Sequence, residues 1–566
     1  MKKLTVGLIV SGIFFTGILA GCQQTTKEEP TQETTQQHAE NKETIVTTKY
    51  GKVEGSIQDG VRLWQGIPYA ADPSGSNRWK EPQDPQSWEG IKKATAPGNV
   101  AIQASADGII GSEDALNLDI YRTDTNKDKL PVLVYVHGGN NQTGNAQELS
   151  GASFVKTHDA IMVSVNYRLG VLGFNPLPAL KHGTELENSG NYSLLDLNKS
   201  LEWIQQNIAA FGGDPENVTI SGFSAGGRDV MAMLMSPIFE GKFQKAISFS
   251  GGMTIADEAE SQEIFAEALA PLVVEDQLAT SNEEAKSWLL QDDTKVKDYL
   301  YGLDSKRLAP LMGNAGIRMR VFPHLYNDGV VLPKEGFQGE IKNDVPLLMI
   351  TGDREFSLFG RFDSYFAEYI ADGRIDTDPN IKAQYDFINK YGGELYSLFN
   401  VQESAETLGT KYQKPIYAME LLFGQNAAVV GEEMAKIGSF HGVFVPLLDQ
   451  DNHNYDALVK DGYNSVGAKT LSDDFQQTLF SFIQTGNPDF KGIKWQPWNQ
   501  SDGDILYLDA DKENVIATVE KKSYTYEDVL REMEQDTSIS SEEKQVLIKQ
   551  VLNGRWFSER LDQLNE

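Results

Sequence analysis

Short apolar runs rich in β-branched residues recur along the chain at 131–136, 160–165, 218–220, 245–249, 345–350 and 416–422, and stretches with helical patterning separate them. The clearest such stretch is 194–210, where Leu195, Leu201, Ile204 and Ile208 fall near a 3.6-residue period and predict a helix. Strands that alternate with helices predict the α/β class, with one large, mostly parallel sheet wrapped by helices. The run at 131–136 is apolar throughout, as expected for a parallel strand buried on both faces. Residues 256–342 and 361–414 predict helical insertions that roof the functional site. Residues 524–566 are charged and helical in pattern, and no role follows from them. No Pro-, Gly- or Ser-rich linker and no internal repeat divides 45–566, which reads as one domain although its roughly 520 residues exceed the usual single core.

The first 44 residues follow different rules. Lys2 and Lys3 precede an apolar segment from Leu4 to Ala20 that ends in Leu19-Ala20-Gly21-Cys22. A positive start with a short apolar core predicts a secretory signal over 1–21. The small residues ending at Cys22 resemble a bacterial lipobox, which implies a lipidated Cys22 as the first mature residue and the cell membrane, on its outer side, as the location. An uncleaved membrane anchor is the alternative, and it too leaves the body of the chain outside the cytoplasm. Residues 22–44 are Gln, Thr, Glu, Lys and Asn with almost nothing to bury, and predict a disordered tether. As a flexible coil it would span about 25 Å.

Cys22 is the only cysteine, so this exported chain has no disulfide and its stability must come from its core. The net charge is −31, falling to −33 once Lys2 and Lys3 leave with the signal. So acidic a body repels nucleic acid, which is excluded as a partner.

The chemistry concentrates in Val218-Thr-Ile-Ser-Gly-Phe-Ser-Ala-Gly-Gly227. A β-branched run stops at Gly222-Phe223-Ser224-Ala225-Gly226, the layout of a nucleophile elbow in which a sharp strand-to-helix turn presents the serine. With 51 glycines in 566 residues such a pattern also arises by chance, so context decides. Upstream, the apolar strand at 131–136 opens into His137-Gly138-Gly139. A lipase or esterase needs such a loop, because its backbone N–H groups face the developing oxyanion together with the N–H after the nucleophile, here Ala225.

Further blocks follow in order: Gly66-Ile-Pro-Tyr-Ala70, Ser112-Glu-Asp-Ala-Leu-Asn-Leu118, Val165-Asn-Tyr-Arg-Leu-Gly170, Asn207-Ile-Ala-Ala-Phe-Gly-Gly-Asp-Pro215, Phe440-His-Gly442 and Thr485-Gly-Asn-Pro488. On these the chain resembles the type-B carboxylesterases, which include para-nitrobenzyl-type esterases, cholinesterases and the non-enzymatic neuroligins. The resemblance spans roughly residues 45 to 510 and implies the α/β-hydrolase fold with a Ser, acid, His order of triad residues.

Ser224 is then the nucleophile. Of the histidines that follow it, His324, His441 and His453, the resemblance selects His441, in Gly438-Ser-Phe-His-Gly442, as general base; His453 lies in a polar run and looks like a loop residue. The acid follows the apolar strand at 345–350. The resemblance favours Glu355, although its neighbours Arg354 and Phe356 depart from the family's Asp-Glu-Gly, and Asp353 is a rival. Two further departures bear on function. Asn140 stands where the family has a third oxyanion glycine; the hole uses backbone N–H groups, so Gly139, Asn140 and Ala225 are its expected donors. Phe223 replaces the Glu that often precedes the nucleophile, which argues against choline-like specificity.

The reading is a lipid-anchored carboxylic-ester hydrolase that works through an acyl-enzyme on a small neutral ester, with no metal and no organic cofactor, since neither a His-Glu-x-x-His run nor a phosphate loop occurs. The same triad would also hydrolyse amides, lactones or carbamates, and a neuroligin-like binding module is the alternative outside enzymes. The oligomeric state is not readable.

Overall fold

The computed structural model describes residues 42–313, 319–500, 503–521 and 524–555. An 11-stranded sheet runs through almost all of this length. Its strands, in chain order, are β1 (Ser56–Gln58), β2 (Val61–Pro68), β3 (Asn117–Thr123), β4 (Leu130–Val136), β5 (Ile161–Val165), β6 (Gly213–Phe223), β7 (Lys245–Phe249), β8 (Leu347–Gly352), β9 (Ile416–Leu421), β10 (Asp504–Ala510) and β11 (Val515–Lys521). They lie side by side as β11-β10-β9-β8-β7-β6-β4-β5-β3-β2-β1. Every pair from β10 to β5 is parallel, and the outer pairs are antiparallel. The expected large, mostly parallel α/β sheet is therefore present, and all six apolar runs lie in parallel strands.

The strands are buried on both faces because helices cover both. Val132, Val134 and Val136 of β4 enter one core, and Leu133 and Tyr135 enter the other. Helix α1 (Tyr192–Asn207) lies at the predicted 194–210, its apolar residues Leu195, Leu201 and Ile204 buried, and Ile208 begins a short 3-10 turn. Helix α2 (Ala225–Met235) follows β6 without a linker and is buried along its whole length.

Both insertions are helical. The first carries α3 (Glu258–Glu275), capped by the Asp257 side chain. The second carries α4 (Pro379–Ser397), whose Tyr385, Ile388, Tyr391 and Leu395 build a third core. Residues 524–555 supply the other half of that core through Val529 of α5 (Tyr526–Gln535) and Leu547 of α6 (Ser541–Leu547). The C-terminal region thus braces the second insertion. A fully buried ion pair, Arg555 to Asp363 at 2.7 Å, joins them.

The signal over 1–21, Cys22 and most of the tether lie outside the described residues. At its end the tether needs a correction, because Lys42–Thr44 form a 3-10 turn and Thr44 is buried. Its carbonyl accepts from the Trp64 indole at 2.8 Å and its hydroxyl donates to Gly55 O at 3.0 Å. These tertiary hydrogen bonds, with a third from Gly55 N–H to Thr44 O at 3.1 Å, outweigh a local composition that gives no cause to fold.

Removing one member of a buried ion pair leaves the other charge without solvent or partner. Asp363→Asn is therefore expected to destabilise the fold by about 3–5 kcal/mol, read as a lower urea midpoint, with part of the loss regained in Asp363→Leu/Arg555→Met. An unchanged midpoint in Asp363→Asn would show that the C-terminal brace carries no stability.

Candidate active site

Parallel register brings the chemistry to one rim. Val136 of β4 pairs with Gly222 of β6, Phe223 with Phe249 of β7, and Phe249 with Ile350 of β8, so these four strands end level. The residues that leave them are the His137-Gly138-Gly139 loop, Ser224, Ser250 and the Thr351-to-Glu355 turn. Crevices at the carboxyl ends of parallel strands are where α/β sheets bind ligands.

Ser224 occupies the turn between β6 and α2 with φ 56° and ψ −116°, a strained backbone for any side chain but glycine. The neighbours must be glycines for space: a Cβ on Gly222 would stand 2.1 Å from Gly226 O, and one on Gly226 would stand 2.2 Å from Val136 O. Ser224 N–H donates to Phe249 O at 2.9 Å, which ties the elbow to β7. The first N–H groups of α2 have no intrahelical acceptor and carry the positive end of the helix dipole. Ala225 and Gly139 offer their N–H groups to no acceptor among the described residues. The loop itself turns through left-handed conformations at Gly139 (φ 94°), Asn140 (φ 53°) and Asn141 (φ 57°).

His441 Nδ1–H donates to Glu355 Oε2 at 2.5 Å. That bond fixes the tautomer, with the proton on Nδ1 and the lone pair on Nε2. Glu355 has no exposed surface, and its other oxygen accepts from Ser250 Oγ at 2.5 Å, Gly352 N–H at 2.6 Å and Thr351 Oγ at 3.0 Å. Asp353 points elsewhere: it pairs with Arg354 at 3.2 Å and accepts from Gln425. Of the two rival carboxylates only Glu355 touches His441. Nε2 is buried with no hydrogen-bond partner among the described residues, while His441 and Ser224 line the same cavity. Catalytic hydrogen bonds often tighten only once substrate is bound.

That cavity measures about 180 Å³, and most of its surface is apolar, supplied by side chains such as Phe223, Leu358, Phe359, Phe362 and Val445, with polar groups including Thr143, Glu148, Arg228 and Asn454 between them. Phe359 lies just before the second insertion and Phe362 at its start, and Met319 reaches the cavity from the first. Phe223 packs 4.7 Å from the His441 ring, Phe359 at 4.9 Å and Tyr396 at 5.7 Å, the last nearly parallel to it at 15°. Three aromatic rings thus pack around the imidazole, one of them from Phe223, the residue before the elbow serine. An imidazolium among such faces gains cation–π stabilisation.

The other histidines have structural surroundings. His137 donates from Nδ1 to Gly138 O at 2.9 Å and stacks on Tyr167, and burial holds its pKa down to about 4. His324 is buried against Phe174 and Phe322, with its pKa lowered to about 3 by burial and by the charge of Arg228. His453 is exposed beside Asp456.

Three residues at the site escaped the sequence reading. Ser250 follows β7 before two glycines, a weak signal. Arg228 and Glu148 gave none, since an isolated charged residue reads as surface; yet Arg228 is 1% exposed, and both line the cavity. Burial raises the Glu148 carboxyl to about 7, against the opposing bond from Gly138 N–H.

An elbow serine, a glycine loop and a buried carboxylate–imidazole pair on the rim of a parallel sheet define an α/β-hydrolase. The chain belongs to the carboxylesterase family, whose model, described as "Carboxylesterase family", matches residues 42–364. It is thus a carboxylic-ester hydrolase. It is 28% identical over 498 residues to para-nitrobenzyl esterase of Bacillus subtilis (strain 168), covering 82% of this chain and 95% of that one. Carboxylesterase 1C of Rattus norvegicus is 27% identical over 521 residues, which is 81% of this chain and 87% of its own. Among solved structures, a PNB esterase superposes with a TM-score of 0.66 at 26% identity, covering 86% of this chain and 99% of its own.

Between the ordinary Glu value of 4.5 and about 7, folded Glu148 keeps a proton that the unfolded chain has lost. Its contribution to stability is therefore full below pH 4.5 and is lost as pH rises through about 7. Glu148→Gln is expected to flatten the fall in thermal midpoint over this range; buried Asp229, also raised to about 7, keeps part of the slope. A slope identical to that of the parent would remove Glu148 from the account.

Proposed function

We propose that Ser224, His441 and Glu355 act as a catalytic triad and hydrolyse a small neutral carboxylic ester through an acyl-enzyme. The observation that carries the reading is the 2.5 Å bond from His441 Nδ1–H to the buried Glu355, with Nε2 left without a partner among the described residues and with His441 and Ser224 lining one cavity. In this scheme Ser224 Oγ attacks the ester carbonyl carbon as His441 Nε2 takes the hydroxyl proton. Negative charge gathers on the carbonyl oxygen, and the N–H groups of Gly139, Asn140 and Ala225 stabilise it. The tetrahedral adduct collapses, the C–O bond to the alcohol breaks, and His441 returns the proton to that alcohol. Water then attacks the acyl-serine by the same route in reverse and releases the acid. Glu355 stabilises the imidazolium in both halves.

The substrate class follows from the cavity. At about 180 Å³ it is close to the roughly 150 Å³ of a cavity that takes up benzene, so a short acyl or single-ring group fits. Its apolar walls favour an uncharged substrate, and para-nitrobenzyl or p-nitrophenyl esters are suitable probes. We also propose that Cys22 carries a lipid that holds the chain on the outer side of the cell membrane, a reading supported by Leu19-Ala20-Gly21-Cys22 after the apolar segment. No helix among the described residues is long and apolar enough to cross a membrane.

Ser224→Ala is expected to abolish turnover of p-nitrophenyl esters with the circular dichroism spectrum intact; activity within tenfold of the parent would end the assignment. Glu355→Gln is expected to lower kcat about 10²- to 10⁴-fold and Asp353→Asn about tenfold or less. The reverse order would transfer the acid to Asp353. For the anchor, Cys22→Ser is expected to abolish palmitate labelling and to leave esterase activity in the medium or in an unprocessed precursor. Labelling that persists would contradict it.

A further inference from the structure

Two consecutive residues of the oxyanion loop, Asn140 and Asn141, hold left-handed backbone, where side chains other than glycine's are disfavoured. Two consecutive residues of α2 hold their side chains. Arg228 Nη1 donates to Asn140 Oδ1 at 3.1 Å, and Asn141 Nδ2 donates to Asp229 Oδ1 at 2.9 Å. The Tyr167 hydroxyl closes the arrangement from the other side, 3.0 Å from Asn141 Oδ1 and 2.8 Å from His137 O. All four side chains are buried, with Asn141 and Asp229 at 0% exposure.

The helix that carries Arg228 and Asp229 is the one that begins at the nucleophile, and its first bond runs from Arg228 N–H to Ser224 O at 3.0 Å. One end of α2 therefore supplies the Ala225 N–H, and its next turn grips the loop that carries the Gly139 and Asn140 N–H groups. Arg228 also reaches Tyr396 with its second nitrogen, 3.2 Å from the hydroxyl, and the Tyr396 ring stacks on His441. The guanidinium so contacts the loop on one side and the histidine's support on the other.

We infer that Arg228 and Asp229 are positioning residues for the oxyanion hole, which fix through the side chains of Asn140 and Asn141 a loop conformation that a glycine would adopt unaided. The inference rests on the catalytic reading above, since a hole matters only if an oxyanion forms there. Hydrogen bonds from buried side chains select one conformer of the loop, and the donors then face the oxyanion without reorganising during the reaction. Substitution should accordingly act on kcat and on affinity for transition-state mimics, and little on KM.

The test is a double-mutant cycle on the full chain. Arg228→Met is made in the parent and in Asn140→Gly, with p-nitrophenyl acetate as substrate, a trifluoromethyl ketone as oxyanion mimic, and fluorophosphonate titration to count competent sites. In the parent, Arg228→Met is expected to lower kcat per titrated site about 10- to 100-fold, below the 10²- to 10³-fold typical of deleting a whole donor. Affinity for the ketone should fall in parallel and KM stay within about threefold. In the Asn140→Gly background the same change should cost less than about threefold relative to that background. Equal losses in both backgrounds, or a loss confined to KM, would overturn the inference. If Arg228→Met does not accumulate folded, the cycle of Asp229→Ser with Asn141→Gly is read by the same criteria. Ser224→Ala in the same assay keeps the two readings apart, because turnover without the serine defeats the triad whatever the cycle shows.

Discussion

A carboxylate with no exposed surface has lost its hydration, at a cost of several kcal/mol unless fixed donors replace it. Glu355 is such a group, and its donors come from separate parts of the chain. Ser250 follows β7, Thr351 and Gly352 close β8, and His441 arrives from the loop after β9. Satisfying this one charge therefore pins the ends of two parallel strands and the histidine loop in a single geometry. Ser439 strengthens the junction: its carbonyl accepts from Arg354 N–H at 3.0 Å and its hydroxyl bonds to Leu421 O. The imidazole is held by what the buried charge requires, and its other nitrogen has no partner among the described residues.

The same economy governs the serine side. Level strand ends set the His137-to-Asn141 loop beside the elbow, and α2 serves both by presenting Ala225 at its first turn and holding Asn140 and Asn141 from its second. The apolar residues that seal the cavity, Leu358, Phe359 and Phe362, come directly after Glu355 in the chain. Acid and wall are thus one continuous segment, braced behind by α4 and the C-terminal helices. A low-dielectric cavity strengthens each of these electrostatic contacts.

Much of this was legible in the sequence, for physical reasons. A parallel strand buried on both faces leaves an apolar run, and all six runs mark central strands. The elbow was legible because its steric demands admit glycine alone at Gly222 and Gly226. The outer antiparallel strands were not: β3, third from one edge, carries Asp119 and Arg122, buried through hydrogen bonds, and the edge strand β11 alternates half-buried with exposed positions. Asp353 and Glu355 could not be separated by spacing, because the direction of a side chain after a strand end depends on the loop it meets. Arg228 stayed hidden since burial of a charge is decided by tertiary neighbours, and so did the half-buried Glu148, whose place in the cavity wall only the fold sets. The packed Thr44 was missed for the same reason, its partners Gly55 and Trp64 lying beyond the segment whose composition predicted disorder.

The central claim is that turnover passes through an ester on Ser224. Rapid acid quench with p-nitrophenyl acetate, followed by peptide mass spectrometry, observes that ester directly. The account predicts a burst of one p-nitrophenolate per titrated chain, with the mass of one acetyl group added on the peptide that contains Ser224. Full turnover with no acetyl on that peptide, or with the acetyl on a different residue, would contradict it.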